Sequence, residues 1–392
     1  THGTREFFQL KHRFLRYLVS ECGLRLIAFE ANFPEALAIN EYIVHGTGDP
    51  ASALEEVYFW TWQVESMRAL LEWLQEFNRD RPLADRVRFH GIDSQFTQGA
   101  VDALRDYFAT VDPAYLESLT PELDAIADGG VPLEQADNPE ILLADLDDLV
   151  PKLRDRLTAK QQEYVQATSD RAWERARQHV RILSQAYDRK QAEQAFQQTL
   201  DTEKAAIEQL IGHRDQVMAT NVEWLLEYED AAQIAIWGHD AHINRTVHTH
   251  DESGATAPSM GHYLAESYGE DYYAIGFAFG QGSFQAMSSP NTDDDSMEEG
   301  LDLREQEVAG PLPQTFEAIL AELEESLCMV NLRAARGCAP LVEYLETSSS
   351  HFSVGAIYNR ETPKDHLTEY TYGEAFDAIC YVDKTSRAQP LK

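Results

Sequence analysis

Two short apolar runs in this sequence end abruptly in ionisable side chains. Residues 24–29 lead directly into Glu30, and residues 235–237 lead through a glycine into His239 and His242. Runs of this length, rich in Ile, Leu, Phe and Trp, predict buried β-strands. In an α/β sheet, the residues that follow parallel strands collect at the carboxyl edge, where ligands bind. We therefore expect Glu30 and the two histidines to lie at that edge.

A helical pattern begins almost at the first residue. Apolar side chains at spacings of three and four predict an amphipathic helix over residues 5–20, with Thr4 in the N-cap position and Glu6 near the positive end of the dipole. His2 precedes that helix N-terminus directly. The local field disfavours an imidazolium there, so we expect a neutral ring that can accept a proton.

Helical and strand patterns alternate along the rest of the chain. Periodicity predicts further helices at 34–45, 53–78, 203–228, 260–267, 314–326 and 340–347. Apolar β-prone runs predict strands at 86–93, 232–237, 271–279, 327–332, 353–357 and 376–382, with a turn at 280–283. This alternation predicts an α/β fold of three layers, with a largely parallel central sheet flanked by helices.

A long helical interval separates two of these strands. Residues 100–230 are helical in pattern almost throughout, whereas a βαβ crossover needs only about a dozen residues. We therefore predict that 100–230 is a large helical insertion that forms a cap over the carboxyl edge of the sheet. Residues 1–99 and 231–392 would then form the α/β catalytic core. A cap of this kind can shape a cleft for a bulky substrate, although a plain structural layer of helices would give the same pattern.

The charge of the chain excludes several classes of partner. With 67 acidic and 32 basic side chains, the formal net charge is −35. Such a surface does not neutralise phosphates, so we expect no nucleic-acid partner. No apolar run reaches about 18 residues, so we expect no membrane span. Scarce lysine and excess acid are typical of proteins from a high-salt cytoplasm, where counterions screen the repulsion. We predict a salt-adapted cytoplasmic protein; a merely acidic protein is the alternative.

Common catalytic motifs are missing from the sequence. It contains no G-x-S-x-G nucleophile elbow, no G-x-x-x-x-G-K phosphate loop and no H-E-x-x-H metal motif. The four cysteines show no C-x-x-C spacing, which favours free thiols. His239 and His242 stand three residues apart and would face one side of a helical turn. A metal at this pair would need further ligands, and the sequence does not identify them.

The chain resembles the erythromycin esterase family in a series of segments that stand in the family's order from Thr1 to Leu391. The opening pair is THGTREFFQLKHRFLRYLV and LRLIAFEANFPEALAINEYI. The later segments are VRFHGIDSQ, HRDQVMATNVEWLL, AIWGHDAHI, SMGHYLAE, YYAIGFAFGQGSF, VGAIYN and FDAICYVDKTSRAQPL. A match of this length is far more specific than one short motif.

This resemblance implies hydrolysis of a carboxylic ester, typically a macrolide-type lactone and hence antibiotic resistance. It implies a water activated by histidine, no covalent intermediate and no cofactor. The family's general base, the histidine of the THG segment, falls on His2. Its strand-closing glutamate falls on Glu30, and its two later histidines fall on His239 and His242. The family also carries a Gly-Glu-Ala segment with a site glutamate just before THG, so we expect such a segment to precede Thr1.

The expected mechanism assigns each of these residues a role. His2 takes a proton from water, and the resulting hydroxide attacks the carbonyl carbon. Glu30 orients His2 or the water, while His239 and His242 hold the carbonyl oxygen or the leaving alcohol.

Three further side chains are candidates for binding the substrate. Arg5 and Lys11 are positive groups that could stabilise the developing oxyanion, although surface charges on the first helix would look the same. Asp93 stands at the end of the VRFHGID strand, where it would line the pocket.

Two other functions remain open at this point. One is a metal-dependent hydrolase that uses the His239/His242 pair. The other is a non-catalytic ligand-binding protein on the same scaffold. We expect the partner to be a small-molecule ester or lactone, bound without a metal ion.

Overall fold

Helices and strands alternate along the chain. The computed structural model describes residues 1–127, 139–198, 204–250, 255–288 and 302–391. The α-helices within these ranges are Arg5–Glu21 (α1), Ala36–His45 (α2), Pro50–Glu56 (α3), Glu65–Asn78 (α4), Gln98–Val111 (α5), Pro113–Ala127 (α6), Pro139–Ala159 (α7), Gln161–Ala167 (α8), Asp170–Gln198 (α9), Lys204–Glu229 (α10), Asp240–Ile243 (α11), Met260–Tyr268 (α12), Phe316–Ala321 (α13), Leu332–Ala335 (α14), Ala339–Leu345 (α15) and Tyr372–Ala375 (α16).

The strands of the same ranges form two larger sheets and two hairpin-like pairs. They are Leu26–Asn32 (β1), Arg88–Asp93 (β2), Ala235–Trp237 (β3), Val247–His250 (β4), Ala255–Pro258 (β5), Ile275–Ser288 (β6), Leu303–Val308 (β7), Leu327–Asn331 (β8), Ser348–Phe352 (β9), Ile357–Tyr358 (β10), Leu367–Thr371 (β11) and Ala378–Thr385 (β12).

The first sheet is parallel, in the order β2-β1-β3. Every residue of the central strand β1 is buried, and its first four residues form the apolar run expected of a strand covered on both faces. The second sheet has the order β10-β6-β12-β8, and β7 pairs with β6. In it β6 runs parallel to β12 and β10, whereas β8 and β7 pair antiparallel. The predicted α/β class, a parallel sheet flanked by helices, is therefore confirmed.

The predicted long helix over 53–78 is wrong, because residues 57–64 leave the helical path. Tyr58 adopts a positive φ of 63°, a conformation that ends α3. Trp62 is buried, and its indole N–H donates to the carbonyl oxygen of Glu30 at 3.2 Å. A tertiary contact to strand β1 thus replaces helical hydrogen bonds that the local sequence would favour.

The predicted turn at 280–283 is also wrong, because β6 continues through it to Ser288. Gly282 has a φ of 115°, and a Cβ there would lie 2.1 Å from the main-chain oxygen of Thr385. The glycine therefore lets β6 pass close to β12 rather than turn away from it. The predicted strand at 353–357 is likewise displaced, since β9 occupies 348–352 and β10 is confined to 357–358.

Helix α1 carries the opening segment onto the second sheet. It buries Phe7, Phe8, Leu15 and Val19, whereas Leu10, Phe14 and Leu18 of the predicted apolar stripe are half-buried. The carbonyl oxygen of Gly3 accepts from the main-chain N–H groups of Gln285 and Ala388, at 3.0 Å and 2.9 Å. A Cβ on Gly3 would lie 1.9 Å from the oxygen of Gln285, so only glycine allows this approach. The adjoining His2 is positioned by that contact.

The described parts of residues 100–230 contain helices and no strand. Their apolar side chains join one core with residues of β1 and β2, including Leu26, Ala28 and Ile92. Asn221 of α10 donates to the carbonyl oxygen of Ile92 at 2.8 Å, which ties the helices to the end of β2. The division into a catalytic core and an inserted cap remains a prediction. Within the described ranges no helix is both long and apolar enough to cross a membrane.

Candidate active site

Glu30 and Asp93 share one arginine at the carboxyl edge of the parallel sheet. Glu30 lies near the end of β1, and Asp93 ends the neighbouring β2. Arg214 of α10 donates through Nη2 to Glu30 Oε1 and to Asp93 Oδ2, at 2.8 Å in each case. Its Nε also donates to Asp93 Oδ2, at 3.0 Å. A helix from the predicted insertion therefore supplies the charge that two buried carboxylates require.

These contacts keep all three groups charged. Burial alone would raise the pKa of Asp93, but the guanidinium of Arg214 outweighs it and holds that pKa below its usual range. Burial acts in the same way on Glu30, while His242 and Arg214 lower its pKa well below the usual range. Burial works against the charge of Arg214, yet the two carboxylates raise its pKa further. Glu30, Asp93 and Arg214 are therefore all charged at neutral pH.

His242 is a further partner of the same arginine. Arg214 Nη1 lies 2.9 Å from His242 Nε2, and because arginine has no acceptor atom, we assign the ring proton to Nδ1. That nitrogen donates to the two carboxylate oxygens of Asp215, at 2.9 Å and 3.0 Å. The main-chain N–H of Met260 donates to Asp215 Oδ1 at 2.7 Å. The carboxylate of Asp215 is therefore held in place and fixes the orientation of the imidazole.

The surroundings of His242 favour the uptake of a second proton. Burial opposes the charged ring, but Asp215 and Glu30 outweigh it and raise the pKa of His242. Glu30 Oε1 lies 3.3 Å from His242 Nε2, so its negative charge is close to the nitrogen that would take up the second proton. His242 is neutral while it accepts from Arg214, and it can become charged when that contact loosens.

The imidazole of His2 has the opposite character. The residue is half-buried, and no described residue makes a hydrogen bond to its ring. Burial lowers the pKa of His2 to about 4, with Glu30 opposing this effect and Lys11 adding to it. The predicted neutral ring before a helix N-terminus is therefore what the surroundings produce. A neutral ring with no hydrogen-bond partner can accept a proton from water.

His239 lies against His2, with the two ring centroids 4.8 Å apart. Both of its ring nitrogens are already engaged. Nδ1 accepts from the main-chain N–H of Ala241 at 3.2 Å, as the N-cap of α11, and Nε2 lies 3.0 Å from the carbonyl oxygen of Val354, to which it donates. Its main-chain N–H donates to Glu30 Oε2 at 2.8 Å. The ring therefore braces His2 and offers no free nitrogen to a substrate.

The two predicted positive groups of α1 lie in different environments. The Lys11 ammonium lies over the rings of Trp237 and Phe277, 5.0 Å and 4.8 Å from their centroids, and burial lowers its pKa. A small pocket is lined by Lys11 together with His2 and His239. Arg5 is exposed and forms no ion pair within the described part of the chain. Lys11 thus adjoins the site, whereas Arg5 is not brought into it.

The donor set does not match a metal centre. Among the described residues, no group of three or more His, Cys, Asp or Glu side chains is arranged to hold a metal ion. His239 has no nitrogen free, and His242 directs Nδ1 to Asp215 and Nε2 to Arg214. A metal bound by this pair would have to displace contacts that already satisfy both rings.

Two residues of this centre were missed from the sequence. Arg214 and Asp215 follow His213 on a helix in which Met218, Val222 and Leu225 are buried. Residues 214, 218, 222 and 225 recur at helical spacing, so the charged side chain falls on the buried face of α10. A charged group on the apolar face of a helix needs a buried counter-ion, and this signal could have revealed Arg214.

Fold and site together define an α/β protein with a polar centre of histidines, carboxylates and an arginine at the ends of parallel strands. Comparison with known families agrees with this class. A family model described as erythromycin esterase matches residues 19–385. The chain therefore belongs to the erythromycin esterase family.

Two curated relatives are similar at low identity. Erythromycin esterase type II of Escherichia coli is 24% identical over 301 residues, which are 73% of this chain and 69% of that protein. YbfO of Bacillus subtilis (strain 168), provisionally named a hydrolase, is 23% identical over 285 residues, which are 70% of this chain and 62% of that protein. This chain therefore matches less than two thirds of the length of YbfO.

Solved structures share the fold. A Bacillus cereus protein superposes with a TM-score of 0.77 at 21% identity, covering 100% of this chain and 88% of that one. A succinoglycan biosynthesis protein gives 0.75 at 20%, covering 99% and 87%. An erythromycin esterase variant in its open conformation gives 0.67 at 17%, covering 97% and 88%. At these identities the likeness establishes the architecture alone.

Proposed function

We propose that this protein hydrolyses a carboxylic ester with a water molecule activated by His2. The observation that carries this proposal is the neutral imidazole of His2, free of hydrogen bonds to described residues, beside the charged groups of Glu30, Asp93 and Arg214. A base and an electrophilic partner are the two elements that ester hydrolysis by water requires.

In the first step His2 accepts a proton from water, and the oxygen of that water bonds to the carbonyl carbon. The charge of Glu30 stabilises the imidazolium that forms, since this carboxylate already raises the affinity of His2 for a proton. His239 packs against the ring and limits its orientation. The geometry changes the role expected for His239, from binding the carbonyl oxygen to positioning the base.

Arg214 supplies the group that stabilises the tetrahedral oxyanion. A guanidinium has five N–H donors, and four are directed to Asp93, Glu30 and His242. The remaining N–H, on Nη1, is available to the carbonyl oxygen. Such a donor strengthens as charge develops on that oxygen, which is the condition for lowering the barrier.

The second step breaks the bond between the carbonyl carbon and the ester oxygen. The leaving alkoxide takes a proton from the imidazolium of His2, which returns the base to its neutral form. His242, whose pKa is raised by its carboxylates, is the alternative acid for this proton. The products are one carboxylic acid and one alcohol, or a hydroxy acid if the substrate is a lactone.

The substrate we propose is a small-molecule ester, with macrolide-type lactones as the first class to test. The support is the family and the name of the Escherichia coli relative. A cytoplasmic location in a salt-rich cell is part of the same proposal and rests on the net charge of −35.

The experiment is a mass-spectrometric screen of macrolides, simple lactones and linear esters, run with the full-length protein and with His2→Ala. We expect one or more compounds to gain the mass of water with the wild type and not with the variant. A screen in which no compound gains water with the wild type would refute the proposal. A non-catalytic binding protein would instead bind a compound from the panel without converting it.

A further inference from the structure

A second cluster of charged side chains lies on β9, α13 and the start of α11, beyond the residues of the proposed mechanism. His351 of β9 is 1% exposed, and its Nδ1 lies 2.6 Å from Glu317 Oε1 of α13. Its Nε2 lies 3.7 Å from Asp240 Oδ2. Glu317 is 1% exposed and Asp240 7%, so an imidazole stands between two buried carboxylates.

The groups around His351 favour the charged ring. Besides the two carboxylates, the hydroxyl of Tyr372 lies 3.0 Å from Nδ1, and the ring of Tyr370 lies 5.7 Å away by centroid. No described residue donates to Glu317 Oε2, so His351 is the main charge opposite that carboxylate. Burial opposes the imidazolium, but Glu317 and Asp240 outweigh it and raise the pKa of His351 to about 9.

This cluster is connected to the candidate active site through the turn at 239–240. Asp240 follows His239 directly, and its Oδ2 also accepts from the main-chain N–H of Phe277 at 2.9 Å. His239 in turn donates to Val354, three residues beyond His351. The turn that braces His2 is thus joined to the β9 segment at two points, an ion pair and a hydrogen bond.

The charge of Asp240 also reaches His239, where it favours protonation. A protonated His239 would lose the ability to accept from Ala241, and it would repel a protonated His2. A cation that balances Asp240 therefore protects the neutral state of the histidine pair.

We propose that His351 is a positioning residue for the reaction. Its imidazolium holds the 239–240 turn in place and compensates the negative charge of Asp240, so that His239 and His2 stay neutral and keep their relative position. The kinetic part of this inference rests on the proposed function, whereas its electrostatic part does not. Loss of the His351 proton at alkaline pH should release the turn and lower the rate.

The test compares His351→Gln, Glu317→Gln and the double variant His351→Gln/Asp240→Asn. Nitrogen-15 NMR follows the titration of His2 and His239, and kcat is measured from pH 5 to 10 on an ester that the wild type hydrolyses. In His351→Gln we expect the pKa of His239 to rise and kcat to fall about tenfold with KM nearly unchanged. The double variant should recover most of kcat, because the unbalanced carboxylate is gone.

Glu317→Gln should move the alkaline limb of the kcat profile to lower pH, since the imidazolium loses one of its counter-ions. The matched control is Glu229→Gln, which breaks another buried pair, His90 Nε2 to Glu229 Oε1 at 2.9 Å. It should lower the melting temperature and leave the pH profile in place. Comparison of Glu317→Gln with Glu229→Gln distinguishes a positioning role from a general effect on the stability of the fold.

Unchanged titration of His239 in His351→Gln would overturn the inference whatever the enzyme activity. So would a loss of kcat that the Asp240→Asn change does not restore. If no ester is hydrolysed by any form, the proposed function fails, and the NMR titration still decides whether His351 controls the charge of the pair.

Discussion

Asp215→Asn tests how the orientation of His242 is set. The amide oxygen of asparagine can still accept from the main-chain N–H of Met260, now 2.7 Å from Asp215. The oxygen of Asp215 that accepts from Met260 also lies 2.9 Å from His242 Nδ1, so an amide oxygen there still accepts from Nδ1, while the NH₂ group replaces the acceptor at 3.0 Å. The change therefore removes the negative charge beside His242 and one of its two acceptors without removing bulk.

The size of the effect follows from the hydrogen bonds involved. A hydrogen bond to a charged group contributes about 1.5–3 kcal/mol. At about 1.4 kcal/mol for each factor of ten in rate, its loss lowers kcat about 10- to 150-fold. The pKa of His242 should fall as well, because Asp215 is the largest charge that raises it. Since the ring can still bind Glu30, we expect the fold to survive.

The assay has two parts. Nitrogen-15 NMR reports the pKa of His242, and steady-state kinetics on an ester that the wild type hydrolyses reports kcat and KM. Asp112→Asn is the matched control, because Asp112 accepts from Arg156 Nε at 3.0 Å within the helical region and has no contact with the site. It should lower the melting temperature and leave kcat unchanged.

A result in which nitrogen-15 NMR gives His242 the same pKa in Asp215→Asn as in the wild type, or in which kcat stays within a factor of about three, would refute this reasoning. A fall in kcat of the same size in Asp112→Asn would also count against it. The loss would then reflect general destabilisation instead of the orientation of one ring.

Three other predictions follow from the site and the charge. His2→Ala should lower kcat by about 10²–10⁴ without loss of fold by circular dichroism, and the wild-type rate should fall as pH drops through about 4, where His2 gains its proton; a near-normal rate in the variant contradicts the base assignment. Dialysis against a strong chelator should leave the rate unchanged, and a loss restored by one added divalent ion favours the metal-dependent alternative. The melting temperature should rise more in potassium chloride than in sucrose, since the Debye length shrinks from about 10 Å at 0.1 M to about 3 Å at 1 M; a flat response to 2 M salt argues against salt adaptation.

Much of the fold could be predicted because buried segments have apolar patterns that can be recognised in the local sequence. Residues 26–29, which precede Glu30 in β1, are all apolar, since β1 is covered on both faces, and apolar residues at helical spacing mark α1 as a helix. The break at 57–64 could not be read in this way. Its cause is a hydrogen bond from Trp62 to a strand about thirty residues earlier, and helical periodicity carries no information on such contacts.

The roles within the site divide along the same line. His2, Glu30, His239 and His242 could be singled out from the sequence, because each precedes, follows or closes a recognisable element. The hydrogen bonds of the two ring nitrogens of His239 could not be predicted. One nitrogen accepts from the main chain of α11, and the other donates to Val354, 115 residues away. The sequence also did not predict that Arg214 binds three site residues, since these partners come from β1, β2 and α11.

The sequence by itself determined which segments are buried, which strands end in ionisable residues, and that the chain is strongly acidic. These properties depend on residue type and spacing along the chain, and they hold wherever a segment packs. Only the tertiary structure decided which charges neutralise one another. Arg214 is 184 residues from Glu30 and 121 from Asp93 along the chain, yet it binds both. The state of each buried group depends on its neighbours in space, because desolvation makes an unpaired charge too costly to keep, and only the folded chain brings those neighbours together.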